Sequence, residues 1–192
     1  MAMTLELLSE RPPSEITRAS LARHANVDPG LIRYYFSNRD SLMRSAAQSL
    51  TESLQTRARA ATPASTIAPE EQICTRARAL LDFKLDNPFY HRLMMEEMAR
   101  SGSEESVNLF DEVAGAAIAR YKSYIDEGVA EGSLKEVNPA FLYMAIIGLC
   151  DFFVTASPSI LKNLKEEERK DVNRHYADFI CDLLINGLRA RQ

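Results

Sequence analysis

Arginine and tyrosine side chains are concentrated near the start of the chain, within residues 11–44. Six arginines stand there against three acidic residues, which gives this segment a net charge of +3. Arg33 carries a planar fork of donors that matches the two acceptors on the major-groove edge of guanine. Tyr34 and Tyr35, which follow it directly, carry hydroxyls on rigid rings that suit phosphates or base edges. This combination predicts contacts to DNA.

Further candidates for the same chemistry flank this stretch. Thr17 and Arg18 begin a predicted helix, where a hydroxyl, a main-chain amide and a cation can hold a phosphate. Leu31 is placed to contact a thymine methyl group, and Arg39 can clamp another phosphate. The predicted DNA-contacting residues are Thr17, Arg18, Pro29, Leu31, Arg33, Tyr34, Tyr35 and Arg39.

Two short helices with a tight turn between them would position these side chains. The sequence predicts helices at residues 17–25 and 29–36, joined by a turn that contains Asn, Asp, Pro and Gly. Leu21 is expected to pack inward, Val27 to fill the turn, and Ile32 to anchor the second helix. A helix-turn-helix of this kind places its second helix in the major groove. The alternative is a plain helical hairpin in a larger bundle. In that case the helix spacing, the turn residues and the Arg/Tyr face would all coincide by chance.

This segment resembles the DNA-binding head of the tetracycline-repressor (TetR) family. The matching positions are Thr17, Leu21-Ala22, Ala25-Asn26-Val27-Asp28, Gly30, Ile32-Arg33-Tyr34-Tyr35-Phe36, Asn38-Arg39 and Leu42. Asn26 replaces a usual glycine, and asparagine tolerates the left-handed backbone best after glycine. Arg33 and Tyr35 stand where the family commonly has Tyr and His. The resemblance therefore implies the fold and DNA binding, but no operator sequence.

The whole chain is predicted to be all-α, because Ala, Leu, Glu, Arg and Met dominate and no long stretch alternates apolar and polar residues. About nine helices are expected, at residues 2–10, 17–25, 29–36, 38–60, 69–86, 88–100, 104–131, 139–155 and 166–190. The resemblance implies a three-helix head in residues 1–50 and a helical effector-binding and dimerisation body in residues 51–192. The first helix is shorter than is usual for the family, which raises the question of a truncated start.

Composition sets the broad class. The 192 residues carry a formal net charge of −4, which argues against a DNA-binding protein when taken as one number. Residues 1–60 carry +2, however, and the remainder carries −6, so that number averages a basic head and an acidic body. We expect no apolar run that approaches the 18 residues of a membrane span, and no secretion signal. Three cysteines without metal-ligand spacing favour a cytoplasmic protein without structural disulfides.

The body carries no enzyme motif, and neither a metal ion nor a cofactor is expected. The family resemblance instead implies a ligand pocket between middle helices. Its candidate lining residues are apolar or aromatic, and several are flexible methionines. They are Phe83, Phe89, Leu93, Met94, Met98, Phe110, Val113, Ala117, Tyr121, Met144 and Phe152. Core packing is the alternative for each of them.

The last two long helices are predicted to form a dimer interface. The helix at residues 139–155 is apolar nearly all round, and the helix at residues 166–190 carries an apolar stripe. The predicted interface residues are Phe141, Ala145, Gly148, Leu149, Tyr176, Phe179, Ile180, Leu183, Leu184 and Gly187. Part of this stripe must pack inside its own subunit; the excess fits a four-helix bundle across a two-fold axis.

The sequence therefore predicts a homodimeric transcriptional regulator, more specifically a repressor released from a palindromic operator in double-stranded DNA by a small, largely apolar effector. One alternative is a helical enzyme or small-molecule carrier without DNA binding. Another is a regulator without a small-molecule effector, switched by a protein partner or by its own abundance.

Overall fold

A computed structural model describes residues 1–61, 67–99 and 109–190, without the side chains of residues 167 and 168. Within these ranges the protein is all-α, with ten helices and two short 3-10 turns. β-pairing in the same ranges is limited to one isolated bridge between Leu134 and Arg189. Nine of these helices have seven residues or more, which confirms the predicted all-α class.

The helices follow one another closely along the chain. They are α1 (Ala2–Glu10), α2 (Arg18–His24), α3 (Pro29–Tyr35), α4 (Arg39–Ala61), α5 (Pro69–Asp86), α6 (Tyr90–Ala99), α7 (Leu109–Ala130), α8 (Pro139–Ile160), α9 (Glu166–Arg169) and α10 (Val172–Leu188). The 3-10 turns are Pro13–Glu15 and Leu161–Asn163. The joint predicted at residues 101–103 lies outside the described residues.

The chain divides into two compact units. The first unit consists of Met1–Ser53 and Asn87–Val113, and it contains α1, α2, α3 and α6. The second unit consists of Leu54–Asp86 and Ala114–Gln192, and it contains α5, α8, α9 and α10. This is a division by packing. The predicted boundary after residue 50, which divides the chain by function, stays a prediction.

The first unit has its own apolar core. Leu8 of α1, Leu21 of α2, Ile32 of α3 and Leu42 of α4 are all buried. Ile16, in the segment before α2, is completely buried as well. Each of the first four helices therefore contributes to one core that fixes α3 on its neighbours.

A second core lies between α5, α7, α8 and α10. Leu81, Ile125, Ile146 and Ile180 supply one buried aliphatic side chain from each of these helices. Tyr176 adds a polar tie, because its hydroxyl donates to the main-chain oxygen of Leu149, 2.9 Å away. Each of these four helices thus turns one apolar face into this core.

Two boundaries near the end of the chain differ from prediction. The helix predicted over residues 139–155 is longer in the structure, where α8 runs through Ser157-Pro158-Ser159 to Ile160. Pro158 is in the last turn, where its missing N–H removes only one intrahelical bond. The predicted helix over residues 166–190 is broken at Asp171, whose φ of 55° cannot continue a right-handed helix.

Candidate nucleic-acid interface

The start of α2 is fixed by a reciprocal cap. The Thr17 hydroxyl accepts from the Ser20 amide at 3.0 Å, and the Ser20 hydroxyl accepts from the Thr17 amide at 2.9 Å. This capping box satisfies two amides that a helix start otherwise leaves without partners. Thr17 is therefore a positioning residue in the structure, and its predicted phosphate contact stays a prediction.

The turn into α3 depends on three consecutive devices. Asn26 has a φ of 50°, so it takes the left-handed conformation that its residue type was predicted to tolerate. Asp28 caps α3, since its Oδ1 accepts from the Gly30 amide at 2.6 Å, and Pro29 occupies the first helical position. A Cβ at residue 30 would lie 2.6 Å from that same Oδ1. Glycine at this position thus allows the carboxylate to close over the helix start.

Arg18 joins the two helices of the motif. Its Nη1 donates to the main-chain oxygens of Phe36, at 3.0 Å, and Ser37, at 2.5 Å. Carbonyl groups at the end of a helix lack intrahelical partners and attract cations. The structure therefore places Arg18 as a clamp on the end of α3, while the sequence predicted a phosphate contact.

Arg39 is engaged in a similar way. Its Nη2 donates to the Pro13 oxygen at 2.6 Å, and its Nε donates to the Ile16 oxygen at 3.2 Å. Its Nη1 lies 3.7 Å from carboxylate oxygens of Asp40 and Glu96. Arg39 thus holds the segment before α2 in place, and its contact to a phosphate stays a prediction.

The outward face of α3 presents the side chains predicted to contact bases. Leu31, Arg33, Tyr34 and Tyr35 are exposed, whereas Ile32 between them is buried. Tyr34 is 84 % exposed and Tyr35 is 68 % exposed. Their rings meet edge to face, with centroids 5.3 Å apart and an interplanar angle of 85°. Two adjacent exposed tyrosines that orient one another form a ready contact surface.

A concave surface of about 420 Å³ lies beside this face. It is lined by Thr17, Arg18, Ala19, Pro29 and Arg33, so it brings together four of the eight predicted DNA-contacting residues. Two of these residues are arginines and one is a threonine, which are residue types that commonly contact DNA phosphates. The start of α2 and the first turn of α3 thus form one continuous candidate interface.

Comparison with known proteins assigns this architecture. The family model described as "Tetracyclin repressor-like, C-terminal domain" matches residues 66–192, more than half of the chain. The chain belongs to the TetR family. TetR-family proteins are DNA-binding transcriptional regulators and not enzymes, which decides against the alternative of a helical enzyme.

Solved structures share the fold over nearly the whole chain. A regulatory protein of the tetR family from Rhodococcus RHA1 has a TM-score of 0.75 at 16 % identity, covering 100 % of this chain and 95 % of that chain. The ketosteroid transcriptional regulator KstR2 of Mycobacterium tuberculosis has a TM-score of 0.70 at 13 % identity, with 99 % and 93 % covered. PfmR from Thermus thermophilus has a TM-score of 0.67 at 14 % identity, with 93 % and 94 % covered. Among curated proteins, none matches this chain.

The predicted ligand-contacting residues of this TetR-family protein fall into both units. In the first unit, Phe89, Leu93 and Met94 are buried, Met98 is exposed, and two further candidates at the start of α7 are half-buried. These last two are Phe110 and Val113. The buried members fit either a pocket lining or ordinary core, as the sequence left open.

The candidates in the second unit divide more sharply. Phe83 and Tyr121 are buried and Ala117 is half-buried, but Met144 and Phe152 are exposed. The inward face of α8 is formed by other residues, including Leu142, Ile146 and Cys150. The helix α8 is apolar on both faces, and Met144 and Phe152 lie on the face that is exposed to solvent. They are therefore removed from the proposed effector contacts.

The predicted dimer residues also separate by exposure. Six of them are exposed on α8 and α10, namely Phe141, Ala145, Gly148, Phe179, Leu183 and Gly187. Leu149 and Tyr176 are half-buried. Ile180 and Leu184 are buried in the core of the second unit. The last two are occupied within their own chain, so they are left out of the proposed interface.

The structure also shows a buried ion pair that was not predicted from the sequence. The Lys84 ammonium on α5 donates to Oδ1 of Asp151 on α8, and both side chains are almost enclosed. Asp151 is the one charged residue in the sequence of α8, from residue 139 to residue 160. A lone carboxylate in so apolar a helix requires a partner, and this is the signal that points to the pair.

Burial also keeps neighbouring groups of the second unit neutral. Desolvation raises the pKa of the Tyr143 phenol, and the nearby Asp151 carboxylate raises it further. Desolvation likewise raises the pKa of the Cys150 thiol to about 12, although the Lys84 cation opposes this effect. Burial is also the main reason that the pKa of Tyr121 lies well above its usual range. Within the described residues, no group of three or more His, Cys, Asp or Glu side chains is arranged to hold a metal ion.

One helix in the described part of the chain qualifies by length and composition as a membrane span. It covers Pro139–Asn163, and an 18-residue window within it has a mean hydropathy of 1.8. Asp151 divides this stretch, so the uninterrupted apolar runs on either side of it are shorter than the 18 residues that the expectation concerned. One face of this helix packs in the core of the second unit, which accounts for part of its apolar character.

Proposed function

We propose that this TetR-family chain is a homodimeric transcriptional repressor that binds a palindromic operator in double-stranded DNA. The observation that carries the proposal is the outward face of α3. Arg33, Tyr34 and Tyr35 are exposed there beside a concave surface with two guanidinium groups. Surfaces that combine arginine forks with exposed hydroxyls suit base edges and phosphates. The helix itself is anchored from beneath by Ile32.

Exposed apolar side chains on the second unit support the homodimer. Phe141, Met144 and Phe152 follow one another along α8 at helical spacing, and Phe179 and Leu183 do the same on α10. Monomeric proteins rarely leave so many large apolar side chains in water. A two-fold axis through such a face gives the closed, self-complementary contact that homodimers use. A two-fold dimer in turn fits an operator with two half-sites one DNA turn apart, or a multiple of it.

We propose a small, largely apolar effector that releases the repressor. Leu93 and Met94, which are buried apolar candidates on α6, support this chemistry. KstR2, which shares the fold, is described as a ketosteroid transcriptional regulator, and a ketosteroid is an apolar molecule of this kind. Release requires only that the effector bind more tightly to the conformation with lower operator affinity. We place the protein in the cytoplasm, where its DNA is.

The experiment that tests DNA binding uses a random pool of DNA duplexes, from which the purified full-length protein selects its operator. The selected sequence is expected to be an inverted repeat. Arg33→Ala and Tyr34→Ala are each expected to weaken binding to it about 5- to 150-fold, the equivalent of about 1–3 kcal/mol. Arg174→Ala is the matched control, since Arg174 is an exposed arginine of α10.

A salt titration adds a second readout. A dimer that neutralises six or more phosphates loses about 10³-fold or more in affinity between 50 and 200 mM salt. The proposal fails if no inverted repeat is enriched, or if Arg33→Ala and Tyr34→Ala both bind as tightly as the unmodified protein. It also fails if Arg174→Ala weakens binding as much as they do, because the effect is then not specific to α3.

A further inference from the structure

Two buried cysteines face one another across the second unit. Cys74 lies on α5 and Cys181 lies on α10, and each is almost completely buried. The Cys181 thiol donates to the main-chain oxygen of Cys74, with 3.7 Å between the sulfur and that oxygen. We propose that these two cysteines form an intrachain disulfide when the protein meets a peroxide, so that this pair is an oxidation site of the chain.

The chemical asymmetry of the pair decides which sulfur reacts first. A hydrogen bond from the Cys74 thiol lowers the pKa of the Cys181 thiol, against the effect of burial, whereas the Arg78 cation acts to lower the pKa of both thiols. The same hydrogen bond raises the pKa of the Cys74 thiol. Since the thiolate is the nucleophile, Cys181 is the sulfur that attacks and Cys74 is the one that resolves.

The reaction balances with one peroxide for each disulfide. The Cys181 thiolate attacks one peroxide oxygen, the O–O bond breaks, and the leaving hydroxide takes up a proton to become water. The product is a sulfenic acid on Cys181. The Cys74 sulfur then attacks that sulfur, the S–O bond breaks, and a second water leaves with the proton of Cys74. Two thiols are oxidised, and one peroxide is reduced to two waters.

A surface depression that a small oxidant could enter lies one helical turn from the pair. A surface depression of about 450 Å³ is lined by Arg78, Ala177 and Asp178, among others. Arg78 follows Cys74 by one turn of α5, and Asp178 precedes Cys181 by about one turn of α10. The two side chains form an ion pair of 3.0 Å at that point. The depression thus ends one helical turn from the thiols, at exposed side chains.

The third cysteine provides the contrast. Cys150 is fully buried, and burial raises the pKa of its thiol to about 12. It therefore has little thiolate at neutral pH and is expected to stay reduced. A permanent structural disulfide does not persist in a reducing compartment. The disulfides found there are transient ones, which form when oxidant levels rise and are reduced again afterwards. The proposed site is of this second kind.

The test uses the full-length reduced protein, freed of reductant and treated with a small molar excess of hydrogen peroxide. The expected product has lost two hydrogens in mass, and its peptide map links the peptide containing Cys74 to that containing Cys181. Cys150→Ala is the matched control and is expected to form the same link. Cys74→Ala is expected to stop at a sulfenic acid on Cys181 that a dimedone probe traps.

A second readout does not depend on any variant. The disulfide would close a loop of more than one hundred residues, so the oxidised protein is expected to melt about 5–10 °C higher, and dithiothreitol reverses the shift. The proposal is overturned if peptide mapping of the unmodified protein shows no link, a link to Cys150, or a link between two chains. It is also overturned if Cys181 goes directly to a sulfinic acid. Both readouts are independent of DNA binding.

Discussion

Replacing Lys84 with methionine is expected to destabilise the protein strongly, although methionine is an apolar side chain of similar length. The reason is Asp151, which keeps its carboxylate inside the second unit after the ammonium is gone. Only 5 % of the Lys84 side chain and 12 % of the Asp151 side chain are exposed. Water therefore cannot replace the lost partner.

The size of the effect follows from this burial. Removing one partner of a buried ion pair costs about 3–5 kcal/mol, because the remaining charge keeps its desolvation penalty. For a chain of this length, that loss lowers the melting temperature by about 2–4 °C for each kcal/mol. Lys84→Met is thus expected to melt about 6–20 °C below the unmodified protein.

The double variant Lys84→Met with Asp151→Leu separates the charge effect from packing. Both buried charges are replaced by apolar groups of similar volume, and such exchanges are neutral or even stabilising by about 1–4 kcal/mol. Each single variant is therefore expected to be far less stable than the double. Urea unfolding at one fixed protein concentration measures all four proteins of the cycle, since the proposed dimerisation would couple stability to concentration.

Additive losses would refute this reasoning. If each single variant lost less than about 1 kcal/mol and the double lost their sum, the two charges would not interact inside the protein. A double variant no more stable than Lys84→Met would be equally contrary, because it would show that the methionine itself disrupts the packing of α5.

Three further results are expected. Gly30→Ala places a methyl group 2.6 Å from Asp28 Oδ1, so it should loosen the start of α3 and weaken operator binding in a filter or gel assay. The helix content measured by circular dichroism should stay nearly the same, because the second unit is not changed. Phe179→Glu should shift the protein toward monomer in analytical ultracentrifugation, whereas the exposed apolar control Val129→Glu should not. Stability should also fall with rising pH between about 9 and 12, because the unfolded thiol of Cys150 ionises near pH 9 and the folded one near 12; Cys150→Ala should flatten this slope by about 1 kcal/mol per pH unit. If Cys150→Ala left the pH dependence of stability unchanged, the raised pKa of the Cys150 thiol would be contradicted.

Local patterns explain why the helix-turn-helix could be predicted from the sequence. Asn26 supplies the left-handed residue of the turn, Asp28 caps the helix that follows, and Ile32 is buried at the predicted spacing. Each of these features depends on residues within one or two turns of one another. Sequence periodicity and capping rules read such short-range relations directly.

Long-range relations were the part that the sequence could not supply. Lys84 and Asp151 meet only because α5 and α8 pack in one particular register, which no local pattern specifies. The faces of α8 posed the same difficulty, since an apolar helix shows no periodicity that separates Ile146, in the core, from Phe152, on the surface. The sequence assigned these residues to the correct helices, but packing between the helices decides which partners meet and which face is buried.

The arginines of the first unit show how far residue type and role can differ. Arg18 and Arg39 direct their donors at main-chain oxygens, and Arg44 donates to the buried carboxylate of Glu97 at 3.0 Å. Each of these three arginines thus commits at least one guanidinium donor to a contact within the first unit, while its positive charge remains. Arg33 is exposed on α3. We therefore propose that recognition of base sequence rests on Arg33 and the two tyrosines beside it, while Arg18, Arg39 and Arg44 hold the surrounding helices in place.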